Sequence, residues 1–166
     1  PLKRIEDVEL KNGIEIVQVS QESYIKQVLF ILEKIKEENP TVTPDDIGIM
    51  FLENVKDNYN LASSLQTIVK EELGWDVNIG YETREKRKGT LFISNRNNVK
   101  GLEFPFVICI MRRTLTNDFQ RRNSIYMMLT RSFLTSYFLI PAENQNIDGI
   151  LKGIDFVNEK GFLNIK

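Results

Sequence analysis

The sequence predicts an α/β fold with a largely parallel sheet flanked by helices on both faces. Two observations carry this. Short apolar runs rich in β-branched residues alternate with longer runs of helical period, and Pro, Gly, Asn and Asp fall between them as turn signals. The chain also holds no internal repeat, low-complexity tract or linker-like stretch, so residues 1–166 read as one domain.

Taken in order, Asn12-Gly13 makes a turn, and Ile14, Ile16, Val17 and Val19 form a strand. From about 21 to 38, Ile25, Val28, Leu29, Leu32 and Ile35 recur at helical spacing among Lys and Glu until Pro40 stops the pattern. Thr43-Pro44-Asp45 turns the chain into a strand over Ile47–Leu52. A second amphipathic helix spans 57–73, with Leu61, Leu65, Ile68, Val69 and Leu73 on one side and Gly74 at its end. Val77–Ile79 is a short strand, 81–88 a charged loop, and Thr90–Ser94 a strand. The polar loop 95–103 follows, expected to emerge at one edge of the sheet, where ligands of such sheets bind at the carboxyl ends of the strands. A strand over Phe106–Met111, a helix over 117–131 and a strand over Ser136–Ile140 complete the pattern, and the segment beyond is unassigned.

Composition excludes several chemistries. With no histidine and one cysteine, the chain supplies neither a histidine-based triad nor the usual zinc ligand set. Cys109 lies inside an apolar run and reads as core. No apolar run is long enough to span a bilayer and no signal peptide is evident, which points to the cytoplasm and to no membrane partner. The opening Pro1 suggests a piece of a longer polypeptide. The net charge of −1 hides a segregation: residues 84–131 hold eleven Lys or Arg against three Asp or Glu, a local +8, so the remainder carries −9. Such a chain either presents one electropositive face to a polyanion or covers solvated loops and helix faces. The same alternative holds for the basic stretch Arg84–Lys88 and the pairs Arg112-Arg113 and Arg121-Arg122.

Two segments stand out chemically. The loop Asn95-Arg96-Asn97-Asn98-Val99-Lys100-Gly101-Leu102-Glu103 offers amide donors, two cations and a glycine that lets backbone approach a ligand. These groups suit phosphate or sugar, and they equally suit an ordinary connection that uses Asn and Gly for turns. In the following helix, Ile125 to Leu129 are five consecutive apolar residues, followed by Thr130-Arg131. A guanidinium leaving a packed interior needs an anion, either an internal carboxylate or a nucleotide phosphate.

Val99-Lys100-Gly101-Leu102-Glu103-Phe104, followed by an apolar strand, resembles motif V of the UvrD/Rep/PcrA-like superfamily 1 helicases. Arg122-Asn123-Ser124-Ile125-Tyr126-Met127-Met128-Leu129-Thr130-Arg131-Ser132 resembles their motif VI. With Asp45-Asp46-Ile47-Gly48-Ile49 entering the second strand, the likeness covers roughly residues 12–141. The resemblance implies a three-layer RecA-like domain of P-loop NTPase type, the second motor domain of an ATP-dependent DNA or RNA helicase. It implies that Arg131 reaches the ATP γ-phosphate, that Glu103 lies near the ribose and that Gly101 permits close approach. Asn95, Arg96, Asn97, Asn98 and Lys100 fall where motif V contacts the nucleic-acid backbone, and Tyr126 takes the place of a packing aromatic. ATP with Mg²⁺, single-stranded DNA or RNA, and a preceding RecA-like domain are the implied cofactors and partners.

The sequence departs from the family at Asn97, usually histidine, and at Leu52, where many members carry arginine. The spacing leaves no room for the large accessory insertion of UvrD-like members, which implies a compact relative. A G-x-x-x-x-G-K-[ST] phosphate loop and an acidic pair after an apolar strand are both absent from the sequence, so this segment alone is expected not to hydrolyse ATP. The alternative is a non-catalytic RecA-like module that binds nucleic acid or protein.

Overall fold

The computed structural model describes residues 13–53, 56–80, 86–95, 102–113 and 132–142. Six strands form one sheet: β1 (Ile14–Val19), β2 (Ile47–Phe51), β3 (Asp76–Ile79), β4 (Thr90–Asn95), β5 (Phe104–Ile110) and β6 (Ser132–Pro141). Their order is β1-β6-β5-β2-β4-β3 and every neighbouring pair is parallel. The predicted α/β class with a mainly parallel sheet is the observed one. Buried on both faces, such strands read as unbroken apolar runs, and all five residues of β2 are buried.

Helix α1 (Tyr24–Glu38) follows β1 after a 3-10 turn over Gln21–Ser23, and α2 (Lys56–Leu73) follows β2. Both pack on one face of the sheet, in a core that joins Val28, Leu32 and Ile35 of α1 and Leu61, Leu65 and Val69 of α2 to Ile49, Ile93, Ile108 and Leu139. The connections β1 to β2 and β2 to β3 run in the same direction across the sheet, and the right-handed rule then puts both helices on the same side. The buried stripe of α1 differs slightly from the periodic one: Tyr24 and Ile31 are buried, while Ile25 and Leu29 are only partly so. Helix α2 stops at Gly74, whose positive φ of 70° is the left-handed cap that glycine adopts without strain; its N–H closes on Lys70 O at 3.0 Å.

Several strand bounds shift outward. β5 begins at Phe104, β6 spans Ser132–Pro141, and β4 runs on through Asn95. The predicted helix over 117–131, the Asn12 end of the first turn and the C-terminal segment lie outside the described residues. Among the described residues no helix is long and apolar enough to cross a membrane.

Two contacts brace the amino-terminal edge. Asp45 Oδ1 accepts hydrogen bonds from Lys86 Nζ at 2.6 Å and from the Gly89 N–H at 2.8 Å, tying the approach to β2 to the approach to β4. Thr43 N–H donates to Asp46 Oδ2 at 2.8 Å and fixes the intervening 3-10 turn.

Candidate functional site

Because β4 and β5 are parallel, the loop between them starts at the carboxyl edge of the sheet and ends at the amino edge, about 20 Å away at the usual strand rise. The chain thus leaves β4 at one edge, as expected, and enters β5 at the other, since parallel pairing forces each connection to recross the sheet. Asn95 is the last residue of β4, buried and paired in register with Phe51 at the carboxyl edge. Glu103 is exposed at the opposite edge, directly before β5. Arg96, Asn97, Asn98, Lys100, Gly101 and Arg131 lie outside the described residues.

The amino edge brings the two motifs into register. Phe104, which follows Glu103, pairs with Ser132, which follows Arg131, and a register irregularity separates this pair from the rest of the β5–β6 ladder. Phe104 is a rigid anchor for the loop's end. Its ring is 1 % exposed, stacks on Phe92 with centroids 6.1 Å apart, and occupies the space over Gly48. A Cβ at Gly48 would lie 2.8 Å from two of the ring carbons, so only glycine there admits the ring.

The carboxyl edge holds a second constellation, centred on a residue that sequence reasoning missed. Glu53, directly after the apolar strand β2, is buried. Its carboxylate accepts the Arg112 N–H at 3.1 and 3.2 Å and the Arg113 N–H at 3.0 Å, just past the end of β5. A carboxylate closing an all-apolar strand was the available signal, because a buried charge requires several donors. Asn58, in the first turn of α2, donates to Glu53 O at 2.6 Å and holds that residue in turn.

The other side of Arg112 is fixed from the 3-10 turn and the start of α1. Gln21 Nε2 donates to Arg112 O at 2.9 Å, Tyr24 Oη donates to Met111 O at 2.6 Å, and the guanidinium carbon lies 5.7 Å from the Tyr24 ring centroid. Arg112 Nε is buried and has no hydrogen-bond partner. It borders a cleft of about 310 Å³ between the first turns of α1 and α2, whose polar lining includes Gln21, Glu22, Asp57, Asn60 and Ser64. Leu52, at the family's arginine position, is 1 % exposed and faces the interior.

Comparison with known proteins agrees with the motif reading. The family model for the UvrD-like helicase C-terminal domain matches residues 90–139, the stretch from the start of β4 into β6. No curated protein matches the sequence. Among solved structures, the fold is similar to the C-terminal domain of a possible DNA helicase from Lactobacillus plantarum WCFS1, with a TM-score of 0.56 and 15 % identity over 86 % of this chain and 87 % of that one. At that identity the likeness shows the fold. The family match bears out the resemblance read from the two motifs: residues 90–139 are similar to the UvrD-like helicase C-terminal domain, and the α/β fold is shared with the C-terminal domain of a possible DNA helicase.

Proposed function

We propose that this domain is the second motor domain of an ATP-dependent superfamily 1 helicase or translocase, with its nucleotide and nucleic-acid duties divided between the two edges of the sheet. The observation that supports it most is the Phe104–Ser132 pairing, which starts β5 and β6 side by side directly after Glu103 and Arg131. In this reading Glu103 meets the ribose and Arg131 the γ-phosphate of ATP, with Gly101 allowing close approach. A preceding RecA-like domain holds the remaining phosphates and Mg²⁺. The loop that leaves β4 after Asn95 carries Arg96, Asn97, Asn98 and Lys100 to the backbone of single-stranded DNA or RNA.

Arginine acts here by placing a planar, permanently charged fork where negative charge develops during phosphoryl transfer. Such an arginine contributes roughly 10³ to 10⁵ in rate. The test is ATP turnover by the intact polypeptide, with and without single-stranded DNA, for wild type and Arg131→Ala. Strand-stimulated turnover that collapses on that scale in the variant is the expected outcome; a variant near wild type removes Arg131 from the site.

The burial of Leu52 favours a second reading, a RecA-like module that binds nucleic acid or protein without catalysis, since this position cannot offer a cation to a nucleotide. Absence of turnover in the folded wild-type protein selects that reading.

A further inference from the structure

The strand order marks a switch point at the carboxyl edge of the sheet. After β2 the chain proceeds to β3 toward one edge of the sheet, and after β5 it proceeds to β6 toward the other, although β2 and β5 are neighbours. Where adjacent strands send their connections in opposite directions, the carboxyl edge opens into a crevice, and ligands of open α/β sheets bind there. Arg112 stands at the end of β5 and Glu53 just past the end of β2, on the two sides of that switch point.

Arg112 is mounted for a ligand. Its N–H is fixed by Glu53, its carbonyl by Gln21, and its guanidinium lies over Tyr24, yet Nε is buried without a partner. Glu22 and Asp57 border the same cleft, and among the described residues neither forms an ion pair with it. Leaving a buried charged donor unpaired is costly, and a ligand oxyanion relieves that cost.

We propose that Arg112 is a phosphate-binding residue for single-stranded nucleic acid, at a subsite in the cleft between the first turns of α1 and α2 beside the switch point. The proposal rests on the nucleic-acid reading above, and the end of β4 that leads into the motif V loop lies on the same edge. Glu22 and Asp57 set its character. They repel a free anion, but a strand seats one phosphate on the guanidinium while its sugar and base, which carry no charge, lie against the acids.

The experiment is equilibrium binding of a fluorescent oligothymidylate to the intact polypeptide across a salt series. Wild type is compared with Arg112→Gln, Arg112→Lys and Asp57→Asn, and each variant is checked for wild-type unfolding behaviour. Arg112→Gln is expected to weaken binding about tenfold to a hundredfold at low salt, as for loss of a charge-assisted hydrogen bond. It also lowers the slope of log affinity against log salt by about 0.7. Arg112→Lys keeps the slope, and Asp57→Asn tightens binding. A folded Arg112→Gln with wild-type affinity and slope overturns the subsite while leaving the motif V reading standing. Equal loss in Gln and Lys variants with an unchanged slope assigns Arg112 a structural role and also overturns it. A wild type that does not bind the oligonucleotide removes both readings, and binding of a protein partner that depends on Arg112 then becomes the alternative.

Discussion

Replacing Gly48 by alanine tests how the start of β5 is held. The added Cβ would lie 2.8 Å from Phe104 Cδ2 and Cε2 and 3.2 Å from Cγ. Carbon atoms in good contact sit about 3.5 to 4.0 Å apart, so the ring must move by roughly 0.7 Å or more. It has little freedom to do so, being buried and stacked on Phe92, which is itself fully buried. Overpacking of this kind costs about 1 to 3 kcal/mol. Reduced freedom of the unfolded chain returns about 0.4 to 1 kcal/mol, leaving a net loss centred on about 1.3 kcal/mol. For a chain of this size that lowers Tm by roughly 3 to 6 °C. Urea unfolding of Gly48→Ala, Phe104→Leu and the double variant measures the coupling directly. The smaller side chain makes room for the methyl, so the double variant is expected to be less destabilised than the two single losses summed. Losses that add to within about 0.5 kcal/mol, or a Gly48→Ala protein as stable as wild type, would refute the packing argument.

Two further outcomes follow from buried and paired groups. The Lys86 ammonium hydrogen-bonded to Asp45, helped by the Gly89 N–H, holds the Asp45 carboxyl below its ordinary range. A depressed carboxyl stabilises the folded state above its unfolded pKa and loses that contribution as pH falls through the folded one. The stability gap between wild type and Asp45→Asn is therefore expected to be present near neutral pH and to vanish in acid, and to stay under about 1 kcal/mol because the pair is partly solvated. Urea midpoints across that range check it, and a gap that widens on acidification contradicts the assignment. Burial pushes the Cys109 thiol far above its usual pKa. A thiol reagent is expected to modify it only as fast as the protein unfolds. Rapid labelling under native conditions would show that β5 is less protected than its packing implies.

Local patterns made the elements legible. The apolar runs of β2 and β5 and the helical periods of α1 and α2 are written in residues that must be buried whatever surrounds them, so their bounds came within a few positions. The segments that resemble motifs V and VI were legible for a different reason: the resemblance rests on particular residue types at short spacing, and Lys100-Gly101-Leu102-Glu103-Phe104 is contiguous. Finer choices depend on neighbours distant in sequence. Whether Ile31 or Leu29 faces the core follows from how α1 is rolled against the sheet.

By itself, then, the sequence determined the α/β class, the order of strands and helices among the described residues, and the segments that resemble the family's motifs, because each depends on local composition and periodicity. The tertiary structure alone decided the lateral strand order. That order separates Asn95 from Glu103 at opposite edges, lays Phe104 beside Ser132, and seats Phe104 over Gly48, 56 positions away in the chain. It also brings Glu53 to Arg112 across the switch point. Nothing in the residues near Glu53 or Arg112 specifies the other, since their contact exists only once β2 and β5, far apart in the chain, have been paired in parallel.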